Sequence, residues 1–184
     1  MATLPPSAGS TPELPSRSWR IDQDLVIVRG VRLALQRIGI GHWQPGVRLR
    51  SWGIVPLYRE GDVFFVPCGA DEALWLGAWL AGEDASAVVR LRDLGGGSAS
   101  IVLPTDEQLT ALPDSRGVLR PLTRGAVGFP IGAYRLALEV ETASDNGLTR
   151  IGLVLVSADD WAKRARRTPP PLRSGPPPLP PRLG

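Results

Sequence analysis

From Ile21 to Val156 the chain is a succession of short apolar runs separated by Gly, Pro, Asp and Asn. LVIV (25–28) and VRLALQRIGI (31–40) are divided by Arg29-Gly30, and a turn follows at His42-Trp43-Gln44-Pro45-Gly46. VRLRSW (47–52) alternates Val47, Leu49 and Ser51 with Arg48, Arg50 and Trp52, which predicts another strand. GIVPLY (53–58), DVFFVP (62–67) and AVVRLRD (87–93) have the same length and the same turn residues at their ends. Runs this short, bounded in this way, predict strands in preference to helices.

The clearest pattern comes late. Tyr134, Leu136, Leu138 and Val140 share one face, opposite Arg135, Glu139 and Glu141, and Ile151, Leu153 and Leu155 resume the alternation. Between them Asn146-Gly147 predicts a tight type I′ turn, because both residues tolerate φ > 0. Helical signals are few. Thr105 precedes Gln108 by three, a capping-box spacing that predicts a short helix over Thr105–Leu112. Ser157 precedes ADDWAKRARR, whose acids come first and bases last, matching a helix dipole, with Trp161 as its anchor on the sheet.

DEALWLGAWLAG (71–82) admits two readings. As a strand it puts Ala73, Trp75, Gly77 and Trp79 on one face and Leu74, Leu76, Ala78 and Leu80 on the other. Its two indoles then lie about 13 Å apart at ~3.3 Å per residue. As a helix it has acids at the positive end and Gly82 as a stop. It also has Gly77 at its centre, at a cost of about 1 kcal/mol, and no polar face. The strand is favoured. The expected fold is therefore mainly β: an antiparallel β-sandwich or barrel of roughly nine to ten strands with one or two short helices. The alternative is an α+β fold with 71–82 helical.

Composition divides the chain into three. Of its 19 prolines, four fall in the first fifteen residues and eight in the last sixteen. Residues 1–18 are expected to form an extended Pro/Ser-rich arm, 19–167 one globular domain ending in a short basic helix, and 168–184 a Pro-rich tail. The net charge is +3, and six of the 21 cations lie beyond Ser157 against two acids, so the body is nearly neutral. The basic helix residues Lys163, Arg164, Arg166 and Arg167 offer salt-sensitive attraction to a polyanion, which supports nucleic acid as a partner only weakly. No signal-like start and no apolar run of membrane length occurs in the sequence, so the expected location is cytoplasmic, with no membrane contact.

Catalytic material is sparse. Cys68 is the only cysteine and His42 the only histidine, so a cysteine-dependent enzyme would have to rest on that pair with Asp62 or Asp71 orienting the imidazole. Cys68 closes an apolar run, where a buried and inert thiol is the usual outcome. No Cys/His cluster suits zinc, and the acidic pairs Glu83-Asp84 and Asp159-Asp160 match no calcium loop, so neither metal nor cofactor is expected. Gly95-Gly96-Gly97-Ser98 lacks the Lys-Ser/Thr of a phosphate cradle and predicts a hairpin tip. The glycine-rich 124–134 stretch is expected to bend the chain into the last hairpin. Pro177, Pro180 and Arg182 fit the P-x-x-P-x-R pattern that aromatic grooves bind as polyproline II.

The sequence thus predicts a non-enzymatic structural or interaction module, a subunit of a larger assembly, contacting a protein partner or another copy through its terminal arms. The alternative is a carbohydrate- or small-ligand-binding module using Trp75, Gly77 and Trp79.

Overall fold

The computed structural model describes residues 19–81, 86–124, 134–143 and 145–176. Its strands are β1 (Trp19–Asp22), β2 (Leu25–Val28), β3 (Val31–Gly39), β4 (Tyr58–Glu60), β5 (Val63–Pro67), β6 (Glu72–Leu80) and β7 (Ala87–Asp93). β8 (Ser98–Leu103), β9 (Gln108–Leu109), β10 (Ala111–Pro113), β11 (Leu119–Pro121), β12 (Tyr134–Thr142) and β13 (Asp145–Val156) follow, and then one helix, α1 (Ala158–Ala165). The chain is a β-sandwich of two open sheets, ordered β1-β2-β3-β6-β9 and β4-β5-β13-β12-β7-β8, with β10-β11 as a separate ribbon. Pairing is antiparallel except where β13 runs parallel to β5.

One core fills the space between the sheets. Val26, Val28, Leu33, Leu35, Leu74 and Leu76 meet Phe64, Val89, Leu91, Leu138, Ile151 and Leu153. The period-2 pattern places these side chains inward from both layers, which is the stable way to bury one face of each sheet. The β2–β3 reversal uses Arg29 and Gly30, both at positive φ (48° and 75°), as a right-twisted two-residue hairpin demands. α1 begins as expected. Ser157 Oγ accepts from the Asp160 N–H at 3.0 Å, and Trp161, wholly buried, donates Nε1–H to the Phe65 carbonyl at 3.0 Å.

Residues 71–82 do not form a helix: Glu72–Leu80 is a strand paired along its whole length with β3. The helix expected over Thr105–Leu112 is absent too. Its segment supplies β9 and β10 instead, and Gln108 and Leu109 take the open edge of β6, opposite Gly77 and Leu76. An edge that offers unpaired backbone groups outweighs a local capping signal eight residues long. VRLRSW forms no strand. Leu49 and Trp52 both turn inward although they are three apart, and the Gln108 amide takes the place of a neighbouring strand. It accepts from the Leu49 N–H at 2.9 Å and donates to the Leu49 carbonyl at 3.0 Å. In GIVPLY only Tyr58 reaches a strand, while Ile54 forms a single bridge to Gln36. Asn146-Gly147 is not the turn of the last hairpin. Glu141 faces Leu148 and Thr142 faces Asp145, so Asn146 and Gly147 are the extra residues of a bulge within β13. Among the described residues the strands number thirteen, above the expected count, because β9, β10 and β11 are only two or three residues long and β1, Trp-Arg-Ile-Asp, is not an apolar run.

The outer face of the second sheet carries one dense charge cluster. Glu139, 2% exposed, receives Arg150 at 2.7 Å, Arg92 at 3.1 Å and Arg90 at 3.5 Å. These arginines come from the strands on either side of β12: Arg90 and Arg150 stand directly opposite Glu139, and Arg92 two positions along, opposite Ala137. Burial works to raise the carboxyl's pKa, but the Arg150 hydrogen bond and the Arg92 and Arg150 charges outweigh it and hold the group below its ordinary value. A depressed carboxylate stabilises the fold above its unfolded pKa, and the stabilisation is lost as pH falls through the folded value. We expect Glu139→Gln to cost about 1.5–3 kcal/mol at pH 7, the range for hydrogen bonds to a charged group. In urea titrations the gap between wild type and variant should narrow as pH falls below the ordinary carboxylate range and through the lowered folded value.

Candidate functional site

The three residues singled out on β6 share the outer face of the first sheet. Across the ladder to β3, Trp75 lies opposite Gln36, Gly77 opposite Ala34 and Trp79 opposite Arg32. That face is roofed over half its length. Ile38, Leu49, Trp52, Ala73 and Trp75 form a second apolar cluster, with Trp43 and Leu172 packed against it. Trp75 is 5% exposed and Trp79 is half-buried. Gly77 is not an empty floor between two indoles. A Cβ there would stand 3.2 Å from Cζ3 of Trp75 and 3.5 Å from the Gln36 amide nitrogen, so the Trp75 ring already lies against the glycine. The roof is pinned from below, since Trp43 donates its Nε1–H to the Thr110 carbonyl at 2.9 Å.

The second half of the roof comes from the proline-rich stretch. Pro169 is buried, Leu172 packs on the Trp52/Trp75 cluster, and Arg37 Nη2 donates to the Pro171 carbonyl at 3.2 Å. Arg37 is itself 4% exposed and pairs with Glu72 at 3.5 Å. The Glu72 carboxylate also accepts the Gly69 N–H at 3.1 Å. Proline suits this role. It lacks an N–H that would need a partner on a crowded apolar surface, and its fixed φ lowers the entropy lost on docking. Pro169, Pro171 and Leu172, from the stretch expected to form the Pro-rich tail, thus touch the body. Pro177, Pro180 and Arg182 lie outside the described residues, as do Glu83-Asp84 and most of the glycine-rich 124–134 stretch.

The Cys68–His42 pair gains no support from geometry. Cys68 is fully buried, and its Sγ–H is directed at the carbonyls of Gly69 and Glu72, 3.6 Å from each. Burial pushes the thiol up to about 11; the backbone N–H of Arg124 opposes that rise and the Glu72 charge adds to it. His42 is exposed, with its ring 4.7 Å from that of Trp52. The Gly95–Gly97 stretch is a hairpin tip, in which the Gly97 N–H reaches Asp93 Oδ1 at 2.7 Å. No group of three metal-ligating side chains occurs among the described residues.

The basic helix is partly occupied with its own sheet. Arg164 lies 4.2 Å above the Phe65 ring and 3.2 Å from the Glu60 carboxylate, and Arg167 sits over Trp161 at 5.2 Å. Lys163 is exposed, 4.0 Å from Asp160, and Arg166 caps the helix in the left-handed conformation at φ 53°. Sequence reasoning did not find the Arg37–Glu72 pair or the Glu139 cluster. The spacing Arg135-x3-Glu139 on an outward face hinted at the latter, but its partners come from strands distant in sequence. No helix among the described residues is long and apolar enough to cross a membrane. No protein-family model, curated protein or solved structure matches the chain.

Two measurements follow from this geometry. Gly77→Ala should destabilise by about 1–3 kcal/mol in urea, the usual cost of overpacking, because its methyl displaces a buried indole. Iodoacetamide at pH 8 should label native Cys68 at least about 100-fold more slowly than the urea-unfolded chain, where the thiol returns to its ordinary pKa.

Proposed function

We propose that the chain is a non-enzymatic contact module, a subunit of a larger assembly, that presents its proline-rich C-terminal segment to a neighbour. The observation that carries this reading is the anchoring of Pro169–Leu172 by the buried Pro169, by Leu172 and by the Arg37–Pro171 hydrogen bond. An anchored root gives the segment that follows a defined point of departure. Pro177, Pro180 and Arg182 match in sequence the P-x-x-P-x-R pattern that aromatic grooves with an acidic rim bind. The buried, protonated thiol of Cys68 is consistent with a role without covalent chemistry. The carbohydrate-binding alternative has less support, because the Trp75 ring is covered and only Trp79 retains an open side.

Two truncations separate anchor from contact. Ending the chain at Pro176 should leave urea stability within about 0.5 kcal/mol, as for surface changes generally, while lowering the assembled mass seen by light scattering. Ending it at Arg167 should also uncover Leu49, Trp52 and Trp75 and cost about 2–4 kcal/mol, from the apolar area exposed. An unchanged mass and unchanged partner recovery for the chain ending at Pro176 would sink the proposal.

A further inference from the structure

The outer face of the second sheet carries Arg90, Glu139 and Arg150 in one cross-strand row. One part of it is apolar. Val63, Phe65, Ala137 and Val154 floor a trough of about 510 Å³, with Gly152 at its middle contributing no side chain. α1 closes one flank through Arg164, and Leu94 on the β7–β8 tip, 74% exposed, closes the other. From β7 to β5 the trough crosses three strand spacings, about 14 Å at ~4.8 Å each.

Its rim is cationic. Arg92, Arg135 and Arg164 line it against Glu60 and Asp93, three cations to two carboxylates, and Glu60 is paired to Arg164. Arg135 is exposed and stands directly opposite Val154 on the floor. Arg92, half-exposed, shares Glu139 with two further arginines, so one carboxylate faces three guanidinium groups. An apolar trough this size, part-covered where Arg164 lies over Phe65 and bordered by more guanidinium than carboxylate groups, matches a ligand with an apolar body and an anionic head. A polyanion would match the rim and leave the floor unused. A neutral hydrocarbon would match the floor and leave the rim unused.

We propose that this trough binds a single-chain amphiphile with an anionic headgroup, its chain on Val63, Phe65, Ala137 and Val154 and its carboxylate between Arg92 and Arg135. The site is separate from the proline-rich segment and does not depend on that segment's role.

Calorimetric titration of the full chain with decanoate tests it, using acetate and decanol as head-only and tail-only probes and a heparin oligosaccharide as the polyanion. Decanoate should bind at least tenfold more tightly than either fragment. Ala137→Trp, which fills the floor, and Arg135→Glu, which reverses the rim, should each weaken decanoate at least tenfold with unchanged far-ultraviolet circular dichroism. If one variant misfolds, the other still decides. No heat from decanoate at millimolar concentration would overturn the proposal. So would binding that both folded variants retain, or binding of heparin in place of decanoate.

Discussion

Strand β6 carries apolar side chains on both faces, and seven consecutive residues from Glu72 to Ala78 are buried. A sheet in a two-layer sandwich ordinarily needs a cover on one side only. Here the inward face, Leu74, Leu76 and Ala78, is met by the second sheet. The outward face, Ala73 and Trp75, has no third sheet to meet and would otherwise stand in water. Segments that are not strands are drawn over it, which is why Leu49, Trp52 and Leu172 sit where they do. Much of what looks irregular in this fold is a response to that doubly apolar strand.

The two buried charge groups are built differently. Arg37 and Glu72 are both nearly inaccessible, so each has lost its hydration and depends on the other; such a pair adds little net stability yet is costly to break. Glu139 is inaccessible too, but Arg92 and Arg150 keep half or more of their side-chain surface in water. The carboxylate is thus desolvated under guanidinium groups that are not. The first arrangement fixes where the chain following α1 lies. The second ties β7, β12 and β13 together through side chains in addition to their backbone ladders.

Legibility in the sequence followed the range of the interaction. The strand at 87–93 and the start of α1 were readable because alternation and capping are local, and so were the Arg29-Gly30 reversal and the Trp161 anchor. The Leu face of 71–82 was assigned correctly for the same reason. Thr105–Leu112 misled because a capping box says nothing about the open edge of β6 nearby. VRLRSW misled because the alternation of Leu49 is satisfied by the side chain of Gln108, which no periodicity reveals. Asn146-Gly147 marked an irregularity correctly and its kind wrongly, since a bulge and a turn ask for the same residues. The covering of Trp75 by Leu172 joins positions 97 apart in the sequence, and nothing local encodes it.

Docking of Pro169–Leu172 also fastens the two layers to each other. The helix α1 packs on β4 and β5 of the second sheet, whereas Leu172, seven residues beyond the end of that helix, lies on the Trp52/Trp75 cluster outside the first. The chain therefore crosses from one layer to the other and grips both. Parting the sheets at this end means pulling Leu172 off its cluster and breaking the Arg37–Pro171 hydrogen bond, so the segment works as a clasp on the sandwich.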